Sequence, residues 1–408
     1  MTAEHPGAPA PLVDANYHAR PYPDRFRELS RSGPVRQVLA PGDIPLWVIT
    51  GHAEGRAALS DERLVKDPFN LPGTAAGLGR TRWPEDVTLV SGRQLLNTDG
   101  ETHARLRGVL GPHLATRALM DKRPMVTAAV KVLLDRLADE EHIDLVTDFA
   151  EPLNTVVIAR LLGVAEDACA AAMACCRLLL GPRHPEEPEM RSAYLEMSEA
   201  LAEFVSVREH EDAGDDDLLS VIVGALRARR IRRREAVSMV GSVLLGASSP
   251  PVTLIAVACA LALCDQDFRF TVASGSVECA VEEALRYQPP VSFSSWRFAR
   301  EPLEIAGTRI DRGDAVMVLL AAANRDPRVF AGGDRIVPDR SGPAGHLSFG
   351  QGPHYCMGAA VARLQAQVAV PAFLDRFPTA RLVRPLEETV WEGVLGDRRP
   401  VSVEVALR

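Results

Sequence analysis

Apolar residues recur at helical spacing from about Thr102 to Leu263, with breaks at Gly111–Pro112, Glu141 to Asp144, around Gly163, Gly181 to Pro188 and Gly214 to Asp217. Inside this span, Ala236 to Leu245 and Val252 to Leu263 are apolar all round rather than along one stripe. Such a pattern predicts a helix buried on every side. The two stretches read as one central helix interrupted by Pro250–Pro251, because proline has no N–H to give and its ring collides with the preceding turn. Beyond Asp265 the pattern predicts a helix over Val277 to Tyr287, stopped by Pro289–Pro290, and a last helix from about Met357 to Phe377.

Strand signals are few and short. Val35 to Val38 and Trp47 to Thr50 read as a pair joined by the Pro41–Gly42 turn, and Ala380 to Arg408 alternates like strands. The fold class is therefore mainly α with small β-sheets. No internal repeat or low-complexity segment divides the chain, so residues 1–408 are expected to form one domain, with 1–20 a flexible lead-in. Residues 66–90 hold the strongest compositional loop, Lys66 to Trp83, rich in Gly and Pro, and are expected to cover a pocket as a substrate-access region.

Composition narrows the function classes. With 47% hydrophobic and 25% charged residues the chain matches an ordinary globular protein, and it has no run of eighteen uncharged apolar residues. Met1 to Pro11 has neither a basic head nor an apolar body, so the expectation is a cytoplasmic protein with no membrane contact. A net charge of -8 is a poor match to nucleic acid. The basic run Arg227 to Arg234 reads first as a solvated loop or helix end, with docking as the alternative. Seven scattered cysteines, an odd number without repeated spacing, fit separate reduced thiols better than a disulfide framework or zinc cluster.

One of them stands apart. His346 to Arg363 reads HLSFGQGPHYCMGAAVAR, a lone cysteine among glycines at the start of a helical run. Glycines let the backbone approach a flat ligand, and a helix N-terminus favours a thiolate. On these grounds alone Cys356 is a nucleophile, a buried thiol or an iron ligand. The segment, however, resembles the haem-binding signature of bacterial, actinobacterial-type cytochromes P450: Phe349, Gly350, Gly352, His354, Cys356 and Gly358 occupy every fixed place. The resemblance implies a single haem-thiolate domain holding haem b, with Cys356 as catalytic thiolate and metal ligand and Phe349 shielding the sulfur.

Other segments extend the resemblance over nearly the whole chain. Glu283 and Arg286 lie three apart on one helical face, ordinarily a surface pair; in the family they form a buried structural pair completed by an arginine before the signature, here Arg340. LNTDGETHARLR resembles the family's pre-haem helix. The resemblance assigns His103, Arg107, Arg297 and His354 to the two haem carboxylates, a role that suits cationic and donor groups. Asn324–Arg325–Asp326–Pro327 followed by Phe330 matches a family turn.

The central helix departs from the pattern. Where the family has Ala-Gly-x-acid-Thr-Thr, this chain has Gly246 to Pro251, so the acid becomes Ser249 and the alcohol Pro250. In the family these two groups help deliver the protons that release one oxygen atom as water, and proline supplies neither donor nor proton. Ser248, Ser249 or water at the freed carbonyls can replace them; so can a substrate hydroxyl or carboxylate. Peroxide as oxidant is a third route, weakened because the family's peroxygenases pair that proline with an arginine. A fourth is oxidative coupling or dehydrogenation. Helix distortion that merely shifts Ser249 into the alcohol's place, and a haem binder without catalysis, are the remaining alternatives.

By resemblance the substrate pocket takes in Leu244, Ala247, Pro250, Val291, Phe293, Ser294, Val394 and Leu395. This mixture suits a bulky, partly oxygenated or aromatic secondary-metabolite intermediate, free or loaded on a carrier protein. Antibiotic biosynthesis is the expected setting. Without a flavin or iron-sulfur motif, electrons are expected from NAD(P)H through a separate ferredoxin and ferredoxin reductase. The protein is expected to act as a monomer.

Overall fold

The proline and glycine of Pro41–Gly42 turn the chain between two strands, β1 (Val35–Ala40) and β2 (Ile44–Ile49), in the computed structural model. Gly42 takes up a φ of 84°, which a side chain would resist. The hairpin runs in the register Val35↔Ile49 to Ala40↔Ile44 and seeds a five-stranded sheet. Its further members are β3 (Leu64–Val65), β4 (Arg297–Ala299) and β5 (Ala315–Val318), in the order β1-β2-β5-β4-β3. The description covers residues 9–14, 16–67, 94–180, 187–211, 217–340, 345–393 and 398–408.

The rest is mostly helix. We use α1 (Gly100–Leu110), α2 (Glu151–Leu162), α3 (Arg233–Ala247), α4 (Pro250–Cys264), α5 (Val277–Tyr287) and α6 (Ala359–Arg376). Gly163 ends α2 in the left-handed region, φ 78°, where a helix is most easily closed by glycine. The central helix is two helices. The chain breaks at Ser248–Ser249, a step earlier than expected, and Pro250 and Pro251 instead open α4 at positions where a helix needs no N–H. Arg233–Cys264 is apolar and long enough to cross a membrane, yet 83% of that window is buried inside the protein, which makes it a core element.

Around it lies the main core, built from α2, α3, α4, α5 and α6 together with their neighbours. Two smaller cores flank the five-stranded sheet. The expected flexible lead-in is corrected for its described part. Leu12 and Tyr17 are fully buried, and Arg398 donates to the carbonyl oxygens of Tyr17, Arg20 and Pro21. Residues 1–8 lie outside the described residues, as do 68–90 of the access region.

One ion pair ties the helical part to the loops beneath the site. Glu283 and Arg286, both nearly inaccessible, face each other on α5 with two bonds of 2.7 Å. Arg286 sends its other N–H groups to the carbonyls of Asn324, Gly333 and Arg335, so all five donors of the guanidinium are used. Arg340 approaches Glu283 at 3.4 Å, and Val337 N–H donates to the same carboxylate at 2.7 Å. Replacing one member of such a pair strands the others in a dry interior. Arg286→Lys, which keeps the charge and loses the fork, is expected to cost about 3 kcal/mol. The denaturant midpoint of the variant checks this.

Candidate active site

The cysteine loop is held from both ends. Asn324 Oδ1 accepts the Leu347 N–H at 2.7 Å, its amide donates to Ser348 Oγ at 2.8 Å, and Ser348 Oγ donates to the Leu285 carbonyl at 2.7 Å. The loop then folds back so that Cys356 N–H donates to Phe349 O at 2.9 Å. Gly352, at φ 76°, lies against the end of the helix His52–Ser60, and a Cβ there would come within 3.0 Å of the Leu59 carbonyl. Gly358 caps α6, and a Cβ there would lie 3.9 Å from Cys356 Sγ.

Cys356 is exposed, although the protein around it still withdraws its sulfur from full hydration. Burial pushes its thiol up, while the Gly358 N–H, Arg107, Arg363 and the Ala359 N–H pull toward the thiolate. The thiol stays above its ordinary range in the protein alone, so the helix N-terminus biases the thiolate without securing it. By contrast Cys169 and Cys176 are buried thiols pushed up to about 12, without an electropositive setting. Beside Cys356, the guanidinium of Arg363 covers the Phe349 ring at 4.5 Å and grips Glu282 with bonds of 2.6 and 2.8 Å.

Two residues before the cysteine, a polar cluster begins. The rings of His354 and His103 lie 4.0 Å apart, and His354 Nε2 is 3.7 Å from Asp99. Asp99 also accepts the backbone N–H groups of Lys66 and Asp67. Burial lowers His354 to about 3, with the cations Lys66 and Arg297 adding to it against Asp99; burial and Arg107 lower His103. Both imidazoles are neutral donors near pH 7. Arg297 spends its two terminal nitrogens on the carbonyls of Leu64 and Leu59, while its Nε is buried without a partner among the described residues. Lys66, buried and in contact with Ser295 Oγ, is brought down to about 7 by burial and by Arg297. Arg107 reaches over to donate to the Tyr355 carbonyl at 2.7 Å.

At the central break Gly246 is exposed and Pro250 half-buried, four residues apart. A Cβ built at Gly246 meets nothing within 4 Å, which places open space against a helix otherwise embedded in the core. Ser248 and Ser249 are fully buried, and Ser248 Oγ donates back to the Leu245 carbonyl at 2.9 Å.

The cytochrome P450 model matches residues 277–404, the stretch that holds both the Glu283–Arg286 pair and the cysteine loop. The monooxygenase PikC of Streptomyces venezuelae is 32% identical over 96% of this chain and 92% of its own. The 6-deoxyerythronolide B hydroxylase of Saccharopolyspora erythraea is 35% identical over 91% and 92%. The chain belongs to the cytochrome P450 family. It is an oxidoreductase of the monooxygenase kind. The structure of the P450 monooxygenase TamI with tirandamycin C superposes with a TM-score of 0.87 at 30% identity, covering 98% of this chain and all of that one.

Haem, the family's cofactor, fits the residues present. Three cations, Lys66, Arg107 and Arg297, and two imidazole donors gather around Asp99, and the Arg297 Nε, without a partner among the described residues, is the sort of donor an added carboxylate satisfies. Lys66, which the sequence placed at the start of the access loop, and Asp99 were not assigned to this cluster from the sequence.

The pocket of this P450 differs in detail from expectation. Phe293 is corrected: its ring packs edge-on against Phe26 at 5.5 Å inside a secondary core and is fully buried. Ser294 is corrected too, since its N–H donates to the Val318 carbonyl at 2.8 Å and its Oγ accepts the Val318 N–H at 3.0 Å. Leu244 and Ala247 face the main core, and Gly246 takes the open side instead. Val291 is half-buried against the sheet. Val394 and Leu395 lie outside the described residues.

The loop's acid sensitivity follows from Glu282. Burial raises its carboxyl, but Arg363 and His346 outweigh this and hold it at about 2. A depressed carboxylate stabilises the native state above its unfolded value near 4.5 and loses that contribution as pH falls toward 2. Glu282→Gln is therefore expected to flatten the fall of the urea midpoint between about pH 5 and 2. Parallel profiles for variant and parent would contradict it.

Proposed function

We propose that this P450 inserts one atom of dioxygen into a bulky, partly polar or aromatic secondary-metabolite intermediate, using Cys356 as the thiolate ligand of haem b. The observation that carries this is the lone exposed cysteine before α6, two residues from a buried cluster of cations and neutral histidines. His103, Arg107, Arg297 and His354, joined by Lys66, would hold the haem carboxylates. Gly358 leaves room beside the sulfur, and Phe349 anchors the Cys356 N–H. When bound, the haem supplies the activation of dioxygen and the electron-rich thiolate favours cleavage of the O–O bond.

The protein's own part is to bind the substrate at this site, exclude water and bring protons to the pocket. Pro250 stands where an alcohol is usual and can do none of the last. Ser248 Oγ is fully buried and its proton goes to Leu245 O, which leaves its lone pairs as acceptors for a water held inside the break. Ser248, Ser249 and water at the helix break, or a group of the substrate itself, thus move the protons. The macrolide-type and other natural-product names among the relatives support a secondary-metabolite substrate, free or on a carrier protein. Electrons would come from NAD(P)H by way of ferredoxin and its reductase, which must reach the face nearest Cys356.

Two measurements test this. Cys356→Ser is expected to abolish the thiolate spectrum of the reduced CO complex, and a persisting spectrum would sink the ligand assignment. Protein supplied with ferredoxin, reductase, NADPH and fractionated natural-product extract under heavy-isotope dioxygen is expected to yield a product carrying one heavy oxygen. An unlabelled product two hydrogens lighter would establish coupling or dehydrogenation instead.

A further inference from the structure

Two prolines in a row remove two helical donors. In an unbroken helix the N–H of residue 250 would serve the carbonyl of Gly246, and that of residue 251 the carbonyl of Ala247. Both are absent here. Gly246 borders open space, where its carbonyl can be solvated, but Ala247 is turned into the core, and its carbonyl needs a donor from the protein.

That donor comes from another helix. Asn154, on α2 and fully buried, donates from Nδ2 to the Ala247 carbonyl at 2.8 Å. Its Oδ1 accepts from Gln365 Nε2 on α6 at 3.3 Å, and Gln365 is also fully buried. The orientation of both amides is fixed by chemistry: a carbonyl can only accept, so Asn154 must turn its nitrogen to Ala247 and its oxygen to Gln365. An asparagine in the middle of an apolar helix, EPLNTVVIARLL, otherwise has no reason to be there.

We propose that the Asn154 carboxamide stands in for the missing N–H of Pro251, and that Asn154, held by Gln365, is a positioning residue that fixes the broken segment Gly246–Ser249 at the oxygen-activating side of the pocket. The brace itself rests on the hydrogen-bond geometry; its effect on chemistry rests on the P450 monooxygenase assignment above.

A double-mutant cycle tests it. Pro251→Ala restores the backbone donor and makes the carboxamide redundant. In the holoenzyme Asn154→Leu is expected to lower the melting point, followed at the haem absorption band, by roughly 2 °C or more in the parent and by much less in the Pro251→Ala background. Gln365→Leu, the milder cut, is expected to show the same dependence on background if Asn154→Leu does not fold. Equal losses in both backgrounds would overturn the brace while leaving the function untouched. For positioning, the readout is peroxide formed per NADPH consumed, with ferredoxin and reductase and no added substrate. Two electrons and two protons carry dioxygen to peroxide, four of each to two waters, so the ratio follows proton delivery rather than folding. It is expected to rise by roughly threefold in Asn154→Leu, equivalent to about half of a tenfold step in relative barrier, and to return toward the parent value with Pro251→Ala. An unchanged ratio in a variant that keeps its thiolate spectrum would overturn the positioning role.

Discussion

Everything around the cysteine depends on a buried guanidinium with no donor left over. Taking Arg286 and Glu283 out of water costs several kcal/mol per ion, and that cost is offset only where each donor and lone pair is filled. Arg286 fills its five with Glu283 and the carbonyls of Asn324, Gly333 and Arg335, so two separate chain segments are fixed relative to α5. Asn324 then passes the constraint on, because its side chain holds Leu347 and Ser348 at the mouth of the cysteine loop. The position of Cys356 is thus set from a helix that it does not touch, through hydrogen bonds whose angular demands leave little slack.

The electrostatics above the loop follow from the same dryness. Cations gathered without enough acids should repel, and burial lowers Lys66, Arg297 and the two histidines accordingly. Such a cluster is costly in the protein alone, and added carboxylates would relieve that cost. Asp99 moderates the cost by ordering the Lys66–Asp67 backbone and facing His354.

Much of this was legible in the residues. The helix over Val277–Tyr287 lies where the apolar period and Pro289–Pro290 put it, and the glycine-rich cysteine loop announced its own geometry. What failed did so for physical reasons. Resemblance alone put Leu244 and Ala247 at the pocket, but both are turned into the main core on the last turn before the break, and Gly246 takes the open face. Phe293 and Ser294 sit in an irregular run with no period to say which way a side chain turns, and the sheet edge and Phe26 claim them. Leu12 and Tyr17 were lost in a stretch whose prolines suggested a free arm, although proline is just as compatible with an extended segment packed on a core.

The helix break shows how a local rule can be violated and compensated at a distance. A proline pair in a buried helix leaves a carbonyl that no neighbour in sequence can satisfy, a defect worth about 1–3 kcal/mol if left alone. The compensation, Asn154 with Gln365, is invisible to any reading of the helix itself, because it comes from 93 and 118 residues away from Ala247 on two other elements. The break therefore has a defined geometry, braced on its core side and open on its pocket side. A hinge of that kind turns Gly246 to open space and keeps Ser248 and Ser249 buried behind it, with Ser248 Oγ tied back to the Leu245 carbonyl.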